Sequence, residues 1–480
     1  MSVLAERTVA ATTIVVLDPE KLPKTTSDER AQTERKARAI ERAEDIARWQ
    51  AVSDAGGIES WIESALREKG LYVDTDPSTL SDADKASFKE RKKAEAAEKR
   101  RLAKLAYRAY RATHIAHVGA GVFYSDELGE ETQERDARVA RAKESGLLHL
   151  DSADALAKEL GVTIPELRWL CFHRDVVDGT SHYHVWTIPK RDGTARRITA
   201  PKPALKKAQR WLLRNVVEKL PVHQAAHGFL EARSIASNAG VHAGADIIVK
   251  VDLKDFFPTV TFRRVKGLFR KAGLPENVAT LGALIATEPP REAVEFRGKT
   301  LHVATGPRAC PQGAPTSPGI TNAICLRLDR RMSGLARTMG FSYTRYADDL
   351  TFSYRKSDEE KGTRAKAPIG ALLRGVKAIL EHEGFKLHAK KTAVMRAGGS
   401  QRVTGLVVNK AKDEVPPVRV PRKVVRRLKA AIFNREKGRP AKGDESLAQL
   451  KGMAAFVHMV DPKRGRAFLD RIEKLEASSG

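Results

Sequence analysis

The chain has 480 residues, with 86 Lys and Arg against 60 Asp and Glu, a net charge of +26. Such a length allows roughly two to four domains, each with its own core. The charge asks for a polyanion, and nucleic acid fits better than a membrane surface, because no apolar run approaches the roughly 18 residues of a spanning helix. Three scattered cysteines, Cys171, Cys310 and Cys325, form no CxxC pair and no Cys/His cluster. They fit a reducing cytoplasm and speak against structural zinc.

Val9–Leu17 is apolar, but Glu6 precedes it, Asp18 and Glu20 follow it, and no basic start leads into it. It reads as a strand or a loose arm rather than a signal peptide. Asp28–Val52 and Asp82–Val118 read as charged helices with narrow packing stripes, Ile40, Ala43, Ile46 and Ala47 in the first and Leu102, Leu105, Ala106 and Tyr110 in the second. A break at Asp74–Ser78 separates them. Residues 1–140 hold no catalytic grouping and form a mostly helical extension, either a partner-binding or RNA-gripping element or a plain appendage.

In residues 141–245, Asp151 or Ser152 caps a short helix, Ala153–Leu160, that ends at Gly161, and Ile164–Phe172 makes a second. The second shows Leu167, Trp169 and Leu170 rather than base-reading side chains, which argues against a DNA-reading helix-turn-helix. Tyr183–Ile198 alternates, turns at Asp192-Gly193 and returns, so it predicts a hairpin with cations at its tip and outgoing strand. It is either an exposed basic hairpin or a flap whose Lys190 and Arg196 grip a triphosphate. A helix over Ala204–Leu220 packs beneath it.

Ile247–Pro258 is a β-branched run ending in acids and aromatics, as expected of a central strand with Asp252 near its end. Phe341–Tyr354 alternates on both sides of Tyr346-Ala347-Asp348-Asp349 and predicts two strands joined by a tight turn, with two carboxylates at the tip. Alone, that tip reads equally as a polar turn or a metal site. With Asp252 on a neighbouring strand, three carboxylates converge and need compensation by a hard divalent cation that takes oxygen ligands. Two Mg²⁺ ions about 3.5–4 Å apart would support in-line phosphoryl chemistry. A phosphate-cradling GxxxxGK[ST] loop and an HExxH helix are both absent from the sequence.

Tyr346-Ala347-Asp348-Asp349 resembles the YxDD box of reverse transcriptases, and the Asp252 strand resembles their first palm motif. Pro311–Pro318 is similar to the family's PQG box, with Asn322 in the helix that follows, and Gly384–Leu387 with Lys390-Lys391-Thr392 is similar to the next palm motif. The resemblance covers about residues 145 to 410, in the family's order. Asn238–His242 further resembles the NAxxH element of bacterial retron reverse transcriptases, and Val403-Thr404-Gly405 their VTG element.

The resemblance implies an α+β right-hand polymerase: fingers over 141–245, a catalytic palm of antiparallel sheet and helices over 246–409, and a helical thumb over 410–480. It implies an RNA-directed DNA polymerase that copies part of its own structured non-coding RNA, primes from a guanosine 2′-hydroxyl and leaves a branched RNA-linked single-stranded DNA. Asp252, Asp348 and Asp349 would be the catalytic, Mg²⁺-binding carboxylates. Lys190, Arg196, Phe257, Gln312, Gly313 and Lys391 would contact the dNTP, Phe257 by crowding the sugar 2′-position unless it is only a core ring. Asn238, His242, Val403, Thr404 and Gly405 would contact RNA, His242 in a structural or RNA-contacting role. The expected partners are the cognate RNA, an RNA–DNA hybrid, dNTPs and a separately encoded effector in antiviral defence, in the cytoplasm and without a membrane.

Residues 410–480 hold 18 Lys and Arg against 9 Asp and Glu. Pro421 opens a helix with Val424, Val425, Leu428, Ala431 and Ile432 on one face and Arg422, Lys423, Arg426, Arg427 and Lys429 largely on the other, and a second helix spans about Leu447 to Val460. After a polymerase palm, this density of charge suits a thumb gripping a duplex backbone. Two other readings stand beside the retron one. A group II intron maturase would need more chain after the VTG element, and a non-catalytic RNA scaffold would not need all three carboxylates.

Overall fold

The fold is taken from a computed structural model, which describes residues 5–9, 12–16, 27–75, 80–126, 132–178, 181–189, 193, 195–356, 367–411, 417–439 and 445–479. It divides into two compact units, one built from residues up to 117 with 157–169, the other from 118–156 and 170 onward. This division falls elsewhere than boundaries at 140, 245 and 409.

In the smaller unit, β1 (Ala5–Val9) and β2 (Thr12–Val16) pair as an antiparallel hairpin over the segment read as a strand or arm. Three helices follow: α1 (Ser27–Asp54), α2 (Ile58–Glu68) and α3 (Asp82–Thr113). Ile62 and Leu66 of α2 pack on Leu102 of α3. Trp49 of α1 meets the rings of Tyr110 and His114 edge-on, each at 5.1 Å between centroids. The break between α2 and α3 lies partly outside the described residues.

In the larger unit, α4 (Thr132–Glu144) packs so closely on the chain at Gly273 that Arg138 reaches the Gly273 carbonyl at 3.4 Å. The short helices α5 (Ala153–Leu160) and α6 (Ile164–Cys171), which divide between the two units, form where expected, α5 capped by Ser152 Oγ accepting from Ala155 N at 3.1 Å and α6 ending one residue before Phe172. β3 (Val176–Asp178) precedes the basic hairpin of β4 (Tyr183–Pro189) and β5 (Ala195–Pro201), which pairs from Tyr183↔Pro201 to Pro189↔Ala195. α7 (Pro203–Asn215) stops short of Leu220, because Val216 leaves helical geometry and a 3₁₀ turn at Val217–Lys219 takes over. Next come α8 (Ile235–Val241), β6 (Ile247–Lys254), α9 (Phe256–Thr259), α10 (Phe262–Lys271) and α11 (Glu276–Ala286). The hairpin of β7 (Arg291–Phe296) and β8 (Lys299–Ala304), which adds β3 to make a three-stranded sheet, has no counterpart among the sequence expectations.

The central sheet runs β11–β6–β10–β9, with β12 also paired to β6: β9 is Phe341–Tyr346, β10 Asp349–Tyr354, β11 Lys386–Leu387 and β12 Ala393–Arg396. All of its pairings are antiparallel. Ile248, Val249 and Val251 of β6 are fully buried, as a strand covered on both faces requires. α13 (Leu326–Thr338) packs on β9, α12 (Ser317–Ile324) leads into it, and α14 (Ile369–His382) packs on α13.

β13 (Arg402–Val403) and β14 (Leu406–Val407) form a small hairpin that shares one core with α8 and the C-terminal helices α15 (Arg422–Glu436), α16 (Leu447–His458) and α17 (Pro462–Ser479). α17, whose Phe468 and Ile472 enter that core, is a third helix beyond the two expected there. Among the described residues no helix is long and apolar enough to cross a membrane.

Candidate active site

The pairing register sets Asp349 of β10 opposite Asp252 of β6 on one side and Tyr346 of β9 on the other. Ala347 and Asp348 are left as a two-residue turn. Ala347 sits at φ +55°, the left-handed geometry that the first position of a II′ hairpin turn demands and that glycine usually fills. Two contacts hold the turn. Leu253 N donates to the Asp348 carbonyl at 3.0 Å, and Gly228 backs onto it so closely that a Cβ there would lie 2.9 Å from Ala347 N.

Beneath the turn lies a fully buried ion pair. Arg345 grips Asp329 of α13 through Nε at 2.9 and 3.1 Å and through Nη2 at 2.8 Å, and the Tyr343 hydroxyl donates to the same carboxylate at 2.8 Å. The remaining Arg345 nitrogen donates to Asn322 Oδ1 at 3.0 Å and to the Ala347 carbonyl at 3.2 Å. Asn322 in turn donates to the Gly228 carbonyl at 2.8 Å. The peptide that carries Asp348 is thus tied to two helices through one guanidinium.

Asp252, Asp348, Phe257, Arg196, Gln312 and Lys391 line a common cavity of about 450 Å³. Burial, and after it the Asp252 carboxylate, push the Asp348 carboxyl above its ordinary value. Two like charges face a half-enclosed space and together favour a hard cation with oxygen ligands. Lys391 Nζ stands 3.1 and 3.2 Å from the Asp252 oxygens. Asp349 does not line the cavity; its carboxylate accepts from Lys250 at 3.2 Å, diagonally across the β6–β10 pair. Among the described residues no three His, Cys, Asp or Glu side chains form a ready-made metal cage. The donor set that fits a divalent ion is therefore Asp252 with Asp348, its shell completed by ligands from outside the chain.

Phe256 is buried against Phe385 at 5.8 Å between centroids, whereas its neighbour Phe257 is half-exposed at the cavity. Gln312 lines the cavity, and its backbone carbonyl accepts from Thr199 N of β5 at 2.6 Å. Gly313, at φ +115°, is not a lining residue; a Cβ there would lie 3.0 Å from Ile198 and 3.1 Å from the Thr199 carbonyl. The close approach its lack of a side chain permits is to the basic hairpin. Lys190 lies outside the described residues. Arg197, Asp255 and His388 join the lining without having been expected. Arg197 is adjacent to Arg196, and the doublet is the signal that was available; His388 is placed by its backbone N–H, which donates to the Asp252 carbonyl at 2.8 Å.

The residues expected at RNA divide differently. His242 is fully buried and bridges Ser353 of β10 and Thr344 of β9 at 2.7 Å each. Burial foremost pushes its pKa down to about 3, so it is neutral and ties β9 to β10 rather than meeting phosphate. Asn238 is also buried, neither of its amide atoms having a partner among the described residues, and Val403 is buried in the C-terminal core. All three side chains are packed in the interior rather than presented to RNA in this structure; for His242 that is the structural one of its two expected roles. Thr404 and Gly405, at φ +46° and +85°, form the turn of the β13–β14 hairpin, and the Thr404 hydroxyl donates to the Ile235 carbonyl of α8 at 3.0 Å. The two short elements are therefore one packed unit. Arg422, Lys423 and Arg426 are exposed on α15, and Arg427 is exposed but paired with Glu445.

Residues 188–421 match the family described as Reverse transcriptase (RNA-dependent DNA polymerase). The chain is 56% identical to the Retron Mx162 reverse transcriptase of Myxococcus xanthus over 94% of its own length and 93% of the other's. It is 41% identical to the Retron Mx65 reverse transcriptase of the same organism, covering 70% of this chain and 74% of that one. It is 30% identical to the Retron Ec86 reverse transcriptase of Escherichia coli, over 71% of this chain and 94% of that one.

Proposed function

Because the chain belongs to the retron reverse transcriptases and is an RNA-directed DNA polymerase of α+β fold, we propose that it copies part of a cognate structured RNA into DNA and leaves a branched, RNA-linked single strand. The observation that carries the chemistry is the convergence of Asp252 and Asp348 on one cavity with Arg196, Arg197 and Lys391.

Asp252 and Asp348 would hold the divalent ions, two Mg²⁺ in this reading, with Asp349 turned aside by Lys250. Held there, divalent ions would supply acidification of the attacking hydroxyl and neutralisation of the departing pyrophosphate. Arg196 and Arg197 bind triphosphate oxygens through forked N–H groups, and Lys391 moves from Asp252 onto phosphate as substrate charge arrives. Phe257 fills the space beside the sugar 2′-position and excludes ribonucleotides. Gln312, tied to the basic hairpin through Thr199, positions that hairpin over the nascent pair. In this reading β4–β5 belong to the fingers, the five-stranded sheet to the palm and α15–α17 to a thumb holding the RNA–DNA hybrid. The enzyme works in the cytoplasm, with a separately encoded effector as partner in antiviral defence.

The test is to express the chain with its neighbouring non-coding DNA and recover nucleic acid. An RNase-trimmed, branched single-stranded DNA is expected. Activity on a generic primed template without that product would leave a polymerase and remove the branched-product reading.

A further inference from the structure

The two sides of α3 are charged in different ways. On the side bearing Leu102 and Ala106, the acids are engaged: Glu95 takes Lys92 and the Val73 N–H, and Glu98 takes Lys69 and Arg101. Arg108 reaches across to Glu41 and Asp45 of α1. The opposite side carries Lys89, Lys93, Arg100, Lys104 and Arg111, all exposed, none with a carboxylate partner among the described residues. Their spacings of four, seven, four and seven place them within an arc of about 60° along about 33 Å of helix. Between Lys89 and Arg111 the one other residue within that arc is Tyr107, which is 53% exposed, and the alanines Ala96, Ala97 and Ala103 lie just beside it.

Like charges four apart repel and weaken a helix, so the row works against the helix's own stability. A membrane-lying helix would present apolar side chains beside the basic face, but the apolar side of α3 is packed against α2. Single-stranded nucleic acid is gripped by rows of aromatic rings, and this row has one. A straight line of cations without base-reading amides suits the phosphates of a duplex, which in RNA is held by shape and backbone.

We propose that the Lys89–Arg111 row of α3 binds the phosphate backbone of a double-stranded segment of the enzyme's RNA. The inference rests on the structured-RNA partner proposed above and gives the N-terminal helices a task.

The experiment uses the full chain and a variant carrying Lys93→Gln, Arg100→Gln, Lys104→Gln and Arg111→Gln, with an RNA hairpin whose stem is about 16 base pairs long as the probe. The variant should bind the hairpin at least tenfold more weakly. The plot of log affinity against log salt should flatten by about 0.7 to 0.9 for each phosphate that the variant no longer neutralises. Binding of an unpaired RNA of equal length should change far less, and nucleotide incorporation on a saturating short primed template should persist, which separates this inference from the polymerase reading itself. Unchanged hairpin affinity and salt slope would overturn it. So would an equal loss for the unpaired strand, or displacement of the hairpin by polyglutamate as readily as by duplex RNA.

Discussion

Asp348 and Asp349 are neighbours in sequence and opposites in environment. Asp348 shares the cavity with Asp252, while Asp349 is neutralised by Lys250. Asp348→Asn and Asp252→Asn should each abolish dNTP incorporation on an RNA template while RNA binding, read by a gel shift, survives; incorporation in either variant would remove the ligand assignment. Asp349→Asn should be milder by at least tenfold in kcat. The Arg345–Asp329 pair sets a different expectation. Removing one partner strands a buried charge, at a cost of about 3–5 kcal/mol, so Arg345→Met should unfold at clearly lower denaturant. Arg345→Met with Asp329→Leu restores balance and should recover much of that stability, yet lose the grip on the Ala347 carbonyl and with it kcat. Full activity in the folded double variant would show that the turn holds itself. That Asp252 and the Asp348 turn come together on adjacent strands was legible in the strand and turn signals around them. That Asp349 faces Lys250 was not, because it depends on a diagonal between strands whose register no local pattern states.

At the scale of elements, the basic hairpin, the central strand and the catalytic hairpin follow from alternation and turn residues, whereas the β7–β8 hairpin and α17 were missed. Glu292, Glu295 and the exposed Val294 and Phe296 make β7 look like neither a half-buried strand nor a helix, since all but its first residue are exposed. His242 shows a second limit: a histidine in a short polar element reads as a contact residue until the strands close around it. Its depressed pKa gives a measurable consequence. Unfolded, the ring titrates near 6.5; folded, near 3. The unfolded chain therefore binds the extra proton between those values, so the stability His242 contributes is complete above 6.5 and is lost as pH falls toward 3, by about 1.4 kcal/mol per pH unit. His242→Asn should flatten the dependence of melting temperature on pH in that window; an identical slope would mean the ring is solvated.

For the molecule as a whole, basic surface recurs in separate places: the β4–β5 hairpin, the outer face of α15 and the exposed row of α3. If α15 holds the hybrid, Arg422→Gln with Lys423→Gln and Arg426→Gln should weaken binding of a primed RNA template and flatten its salt dependence by about 0.9 or less per phosphate, with kcat at saturation little changed. The packing of α8 against the β13–β14 turn reaches further. Thr404 is hydrogen-bonded to Ile235, and His242, at the end of the same helix, joins the two strands that flank the Ala347-Asp348 turn. Specificity in this family invites chimeras made by exchanging C-terminal segments. A junction placed after residue 409 transfers the three terminal helices and leaves the contact between α8 and the β13–β14 turn native. One placed before residue 402 imports a foreign turn onto a native helix, and its failures would look like lost template recognition although the damage lies in the strands holding Asp348.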